Sequence, residues 1–204
     1  MTEVTLCSDV SWISPYVFSC FVTLREKRID FKLREVDLDR GDQRGAEYRA
    51  LSLTSRVPAL VHDGFALAES LAIVEYLEEA FPAPTHPRVL PEGLRDRARA
   101  RQLLSWLRSD DTAPIRVERS THTMFLADAA APLGPDASRA VGKLFDVAAR
   151  LIEAAGGPFL FQRFGVADAD LAFMLHRLIL NGDDVPAPVR AWAEATWRHP
   201  TIQA

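Results

Sequence analysis

Arg56-Val57-Pro58-Ala59-Leu60-Val61-His62-Asp63-Gly64-Phe65-Ala66-Leu67-Ala68-Glu69-Ser70 is the stretch on which the fold turns. Two apolar runs, Pro58 to Val61 and Phe65 to Leu67, flank His62-Asp63-Gly64, and an Asp-Gly pair suits the positive φ angles of a tight hairpin. Beyond it, Leu71, Val74, Tyr76 and Leu77 recur at helical spacing and predict the buried face of a helix ending near Phe81. Then comes Pro82-Ala83-Pro84-Thr85-His86-Pro87-Arg88-Val89-Leu90-Pro91. Its prolines lack backbone donors and fix φ, so neither a helix nor a central strand runs through it. We take it as an interdomain linker, with a first domain over 1–82, the linker over 83–91 and a second domain over 92–204.

Upstream of the hairpin, Val4 to Cys7 and Phe31 to Leu38 read as strands, and Val17, Phe18, Phe21 and Leu24 give 15–27 a helical period. The first domain is therefore β-α-β, a variable segment, then β-β-α. After the linker the pattern is helical throughout. Val141, Leu144, Phe145, Ala148, Leu151, Ile152 and Ala155 form one stripe, closed by Gly156-Gly157-Pro158. Leu171, Leu175, Leu178 and Ile179 form another, ended by Asn181-Gly182. Asp168 stands three positions after Gly165 and is placed to reach back to backbone amides at a helix start, a folding role. The small-residue stretch 127–135 reads as a loop.

With 204 residues, 48% hydrophobic and 25% charged, the chain is neither disordered nor fibrous. A net charge of -4 and a pI near 5.7 supply no general attraction to nucleic acid or to an anionic membrane surface. Nowhere do apolar residues run for the ~20 positions that span a bilayer, and the N-terminus lacks a signal-peptide pattern. Cys7 and Cys20 are too few for a disulfide framework and wrongly spaced for a CxxC motif, so a reducing, cytoplasmic location is expected. Both read as inert core thiols. His62, His86, His122, His176 and His199 are scattered without metal-ligand spacing, and no metal is expected.

The order β-α-β-β-α with Arg56-Val57-Pro58 and Glu69-Ser70, followed by a helical half, resembles the glutathione S-transferases over nearly the whole chain. The likeness is strongest to the bacterial YfcF-type branch, at Ser14-Pro15-Tyr16-Val17, Arg97-Ala98-Arg99-Ala100-Arg101-Gln102, Trp106-Leu107-Arg108-Ser109-Asp110 and Ala167-Asp168. It implies a thioredoxin-like domain joined to an α-helical bundle domain, a homodimer, and glutathione as co-substrate. It also implies that the Val57-Pro58 bond is cis and turns the Val57 amide and carbonyl toward the cysteinyl backbone of the ligand. The plain alternative for Pro58 is a strand-initiating proline.

Glu69 and Ser70, at a helix start, suit the γ-glutamyl end of glutathione: Ser70 and the amides for the carboxylate, Glu69 for the ammonium. Simple helix capping uses the same residue types. Arg56 either reaches the glycyl carboxylate or stays solvated. Ser14 occupies the position where the related glutaredoxins carry the first cysteine of Cys-Pro-Tyr-Cys, leaving a hydroxyl suited to stabilise the glutathione thiolate. Against this, Ser before Pro is a good N-cap, and Ser8, Ser11 and Tyr16 are competing hydroxyls.

The co-substrate is expected to be an electrophile or a peroxide, lying against the first helix and the helix of Trp106, Leu107 and Ile115. Arg108, Arg116 and Arg119 are read either as attracting an anionic co-substrate or, for most of them, as solvated or dimer-facing. The expected activity is glutathione transfer or peroxide reduction. The rivals are a non-enzymatic module of the same fold and a glutathione-dependent disulfide reductase.

Overall fold

The computed structural model describes residues 2–126 and 131–204, so 127–130 of the expected small-residue loop lie outside the described residues. The chain separates into two compact units, 1–89 and 90–204. The first runs β1 (Val4–Asp9), α1 (Pro15–Glu26), β2 (Lys32–Val36), α2 (Ala46–Leu51), β3 (Ala59–His62), β4 (Phe65–Ala68) and α3 (Ser70–Ala80). Its sheet has the order β2-β1-β3-β4, with β1 parallel to β2 and antiparallel to β3, and with β3 and β4 antiparallel.

The two-residue period of β1 divides the core. Val4 and Leu6 face Val17, Cys20 and Leu24 of α1 and Ile73 and Leu77 of α3. Cys7 packs on the opposite face with Val36, Tyr48 and Ala59. The hairpin is tighter than His62-Asp63-Gly64 suggests. His62 and Phe65 still pair, and Asp63 (φ 48) with Gly64 (φ 86) forms a two-residue loop of the kind that matches strand twist. The variable segment holds the short helix α2, which no sequence signal announces.

On α3 the buried stripe differs from the expected one. Ile73 joins Val74 and Leu77 inside, while Leu71 and Tyr76 are only half-buried. Tyr76 is turned outward by its hydroxyl, which meets the His62 Nδ1 at 2.7 Å. At the other end of α3, Lys27 is fully buried and donates to Glu78 Oε2 at 2.9 Å and to the Pro87 carbonyl at 3.1 Å. Glu78 Oε2 also accepts the Val89 amide at 3.1 Å, so one buried ion pair fastens the proline-rich segment to α1 and α3.

The second unit comprises α4 (Leu94–Trp106), α5 (Ala113–Glu118), α6 (Thr121–Phe125), α7 (Pro135–Ala155), α8 (Val166–Ile179), α9 (Ala187–Trp197) and α10 (Pro200–Gln203). Every residue of α8 from Val166 to Leu178 is buried, which makes it the central helix. Asp168 accepts the Gly165 amide at 2.9 Å, the expected reach-back, and the Leu160 amide at 2.7 Å. Burial pushes its carboxyl up to about 7. The α7 stripe is buried at Val141, Leu144 and Ala148, and its last turns are only half-buried. Gly156, at φ 62, ends that helix in the left-handed region that favours glycine. The described residues contain no helix long and apolar enough to cross a membrane. The fold is thus an N-terminal thioredoxin-like domain followed by an all-α domain.

Candidate functional site

Strand register brings three separated segments to one end of the sheet. Cys7 pairs with Ala59, and Ala59 pairs with Ala68. The exit of β1, the entry to β3 and the exit of β4 therefore coincide. Asp9 and the turn to Ser14 follow the first, Val57-Pro58 precedes the second, and Glu69-Ser70 follows the third. All the residues expected to bind ligand lie on these segments.

Ser14 is the N-cap of α1, with φ -74 and ψ 116, and its Oγ accepts the Val17 amide at 3.3 Å. The capping alternative is thus realised, and a serine that accepts through a lone pair still has a hydrogen to donate. Among its competitors, Ser8 is fully buried and donates to the Asp9 carbonyl at 3.0 Å, Ser11 is exposed, and Tyr16 is half-buried. The turn before Ser14 is held by Asp9. This carboxylate accepts the Ile13 amide at 2.8 Å and the Ser14 amide at 3.2 Å. Asp9 is absent from the expected site residues, although an aspartate closing an apolar strand just before Ser-Pro is a recognisable turn signal.

The Val57-Pro58 bond is cis. Val57 lies outside the β3 ladder, which begins at Ala59. The preceding carbonyl, that of Arg56, is fixed by two hydroxyls, Tyr48 Oη and Ser52 Oγ, each at 2.9 Å. The Arg56 amide returns a bond to Ser52 Oγ at 3.2 Å, and the Arg56 side chain is exposed. Burial pushes the Tyr48 phenol up, with the nearby Cys7 adding to the effect, so it stays a neutral donor.

Glu69 is exposed and sits at φ 72 and ψ 115, a backbone state that a non-glycine residue adopts only when its surroundings impose it. It is the N-cap of α3 but makes no side-chain cap bond. The first-turn amides of α3 therefore receive nothing from the N-cap side chain, unlike those of α1. Ser70 is 5% exposed, and its carbonyl meets the Cys20 thiol at 3.8 Å, which ties α1 to the start of α3. Cys7 and Cys20 are both buried, and burial pushes the Cys7 thiol up despite the neighbouring Arg34.

The expectations for the helical half need correction. Leu107 and Ile115 are core residues, 3% and 0% exposed, and do not line a surface. Arg108 pairs with Asp170 at 2.8 Å and Arg119 with Asp183 at 2.5 Å. Arg116 donates to the carbonyls of Leu107 at 3.0 Å and Ser109 at 3.1 Å. Arg119 is buried on Asp183, while Arg108 and Arg116 are half-buried, one paired with Asp170 and the other capping the end of α4, so each has a partner within its own unit. Among the described residues, no group of three or more His, Cys, Asp or Glu could hold a metal ion.

A mixed four-stranded sheet of order β2-β1-β3-β4 with a cis-proline before β3, joined to a helical bundle, defines a thioredoxin-like, two-domain class. Its first half matches the N-terminal domain model of the glutathione S-transferases over residues 13–80, and its second half matches the C-terminal domain model over 93–204. The chain belongs to the glutathione S-transferase family. A glutathione transferase homolog from Burkholderia, solved with bound glutathione, is 40% identical with a TM-score of 0.81, covering 98% of this chain and 95% of that one. A diazinon-metabolizing glutathione S-transferase from Bombyx mori shares the fold at a TM-score of 0.82 with 20% identity, covering 98% of this chain and 94% of that one. Maleylacetoacetate isomerase from Dictyostelium discoideum is 37% identical over 114 residues, 54% of this chain and 50% of that protein. The chain spans half or less of the length of the curated relatives it matches.

Proposed function

We propose that this chain is a glutathione transferase that binds reduced glutathione at the sheet end, holds its sulfur as thiolate, and delivers it to an electrophile or a peroxide. The observation that carries the reading is the convergence of the Ser14 turn, the cis Val57-Pro58 step and the α3 start on one end of the sheet. The Burkholderia homolog with bound glutathione supports it. In this reading Val57 pairs with the cysteinyl backbone as an added strand. The γ-glutamyl carboxylate takes the α3 amides and Ser70, Glu69 faces the ammonium, and Arg56 faces the glycyl carboxylate. The Ser14 hydroxyl donates to the sulfur, which lowers the thiol pKa and raises the fraction of nucleophile at neutral pH. The released proton goes to solvent. We further propose that the protein works in the cytoplasm as a homodimer.

Calorimetric titration with reduced glutathione tests the site. Saturable binding that weakens about tenfold in Ser70→Ala is the expected result, since one charge-assisted hydrogen bond is lost. Absence of binding to the wild-type protein at millimolar glutathione would overturn the reading and favour a non-enzymatic module. A screen of aryl halides, alkyl hydroperoxides and disulfides then assigns the reaction. Maleylacetoacetate joins that screen because the Dictyostelium relative is named for its isomerisation.

A further inference from the structure

We propose that Asp9 is a positioning residue for Ser14, its carboxylate shaping the β1–α1 turn so that the Ser14 hydroxyl meets the glutathione sulfur. The inference rests on the glutathione-binding reading above. Asp9 closes β1 and is 2% exposed. Oδ2 accepts the Ile13 amide at 2.8 Å and Oδ1 the Ser14 amide at 3.2 Å. Its own carbonyl accepts the Trp12 amide at 3.2 Å, and Trp12 stands at φ 55, a left-handed state that a tryptophan keeps only when neighbouring bonds hold it. The chain thus leaves the sheet, turns through a strained residue and enters α1 with both flanking amides tied to one buried side chain. Ser14 is the last residue so tied, and its Oγ is then set against the Val17 amide.

The chemistry favours a carboxylate. Two converging N–H groups need two acceptors, and a carboxylate offers one on each oxygen. An asparagine has a single acceptor oxygen, and its amide group would meet the other N–H and push it away. The shorter bond to Ile13 would persist, so the displacement would fall on Ser14. A negative charge near the sulfur by itself opposes thiolate formation. Removing that charge without disturbing Ser14 would therefore lower the thiol pKa, whereas loss of positioning would raise it. The two effects have opposite signs.

The experiment follows thiolate absorbance of protein-bound glutathione against pH, together with kcat/KM and the calorimetric Kd, in wild type, Asp9→Asn, Ser14→Ala and the double variant. Asp9→Asn is expected to raise the bound-thiol pKa by about one pH unit and to lower kcat/KM about tenfold, with Kd within about threefold of wild type. The double variant should show no loss beyond that of Ser14→Ala, because the positioning effect acts through the hydroxyl already removed, and any change it shows is the gain from removing the charge. An unchanged or lowered thiol pKa in Asp9→Asn, or a full further loss in the double variant, overturns the inference and leaves the glutathione reading standing. A wild-type protein that binds no glutathione overturns both. Should Asp9→Asn not fold, amide hydrogen exchange on the glutathione-bound wild type decides: protected Ile13 and Ser14 amides support the positioning role, and freely exchanging ones refute it.

Discussion

A serine hydroxyl has one hydrogen to give and two lone pairs to offer, and at Ser14 one lone pair is engaged by the Val17 amide. Capping and thiolate donation are therefore separable by substitution. Glycine is nearly as good an N-cap as serine, costing a few tenths of a kcal/mol, whereas alanine costs about 1 kcal/mol. Both lack the hydroxyl. We expect Ser14→Gly and Ser14→Ala to lose kcat/KM alike, by about 100-fold, while only Ser14→Ala loses appreciable stability in urea melts. Activity retained in Ser14→Gly would remove the hydroxyl from the mechanism. Ser14 is legible in the sequence because an N-cap serine before proline is a local pattern. Asp9 is harder to read, since its partners are backbone amides whose positions depend on how the turn closes. The arginines of the helical half are opaque for a different reason: Arg108 and Arg119 choose acids 62 and 64 positions away, Asp170 and Asp183, and no periodicity encodes that choice.

Among the elements, strands and helices declare themselves where burial has a period. β1 alternates between two apolar layers, α7 buries one stripe, and Asp63-Gly64 marks the hairpin, whereas α8 is buried on every side and its burial has no period. α2 escapes because its six residues are too few to show a period. On α3 the stripe shifts because Tyr76 satisfies its hydroxyl on His62, a tertiary preference that a hydrophobic pattern does not register. The pair Lys27 and Glu78 is the largest departure, since two charged residues are expected in solvent. Lys27 is fully buried and Glu78 is 6% exposed. Removing Lys27 leaves the buried Glu78 carboxylate with only the more distant Arg88 at 3.7 Å, whereas replacing both with apolar groups removes the desolvation penalty as well. Lys27→Met should therefore cost about 3–5 kcal/mol in urea melts, and Lys27→Met/Glu78→Leu distinctly less. If the double variant is the less stable, the network contributes more through its backbone bonds at Pro87 and Val89 than through charge.

For the molecule as a whole, the pH dependence of stability is set in part by two buried groups on α8 with opposing signs. Asp168 is 1% exposed, and burial raises its carboxyl from 3.8 to about 7 even though three backbone amides, those of Leu160, Gly165 and Asp168 itself, favour the charged form. The native state then holds a proton that the unfolded chain has released, so its stability falls as pH rises from about 4 to about 7. Between pH 8 and pH 5 this group alone should add about 2–3 kcal/mol on acidification. His176, stacked on Trp197 at 4.3 Å, has its ring pushed below the usual 6.5 by burial, against the pull of the Ala172 carbonyl. There the unfolded chain binds the proton first, so acidification below about 6.5 costs stability. The pH dependence of wild-type stability combines both slopes, and each variant removes one of them. His176→Phe leaves the Asp168 term, and the helical unit should grow more stable from pH 8 to pH 5. Asp168→Asn leaves the His176 term, and the same acidification should destabilise it. Scanning calorimetry over that range reads the slopes directly, whatever constant stability each substitution subtracts. Parallel curves for the two variants would show that neither group controls the titration, and would return Asp168 to an ionised carboxylate fully compensated by the amides of Leu160, Gly165 and Asp168 itself.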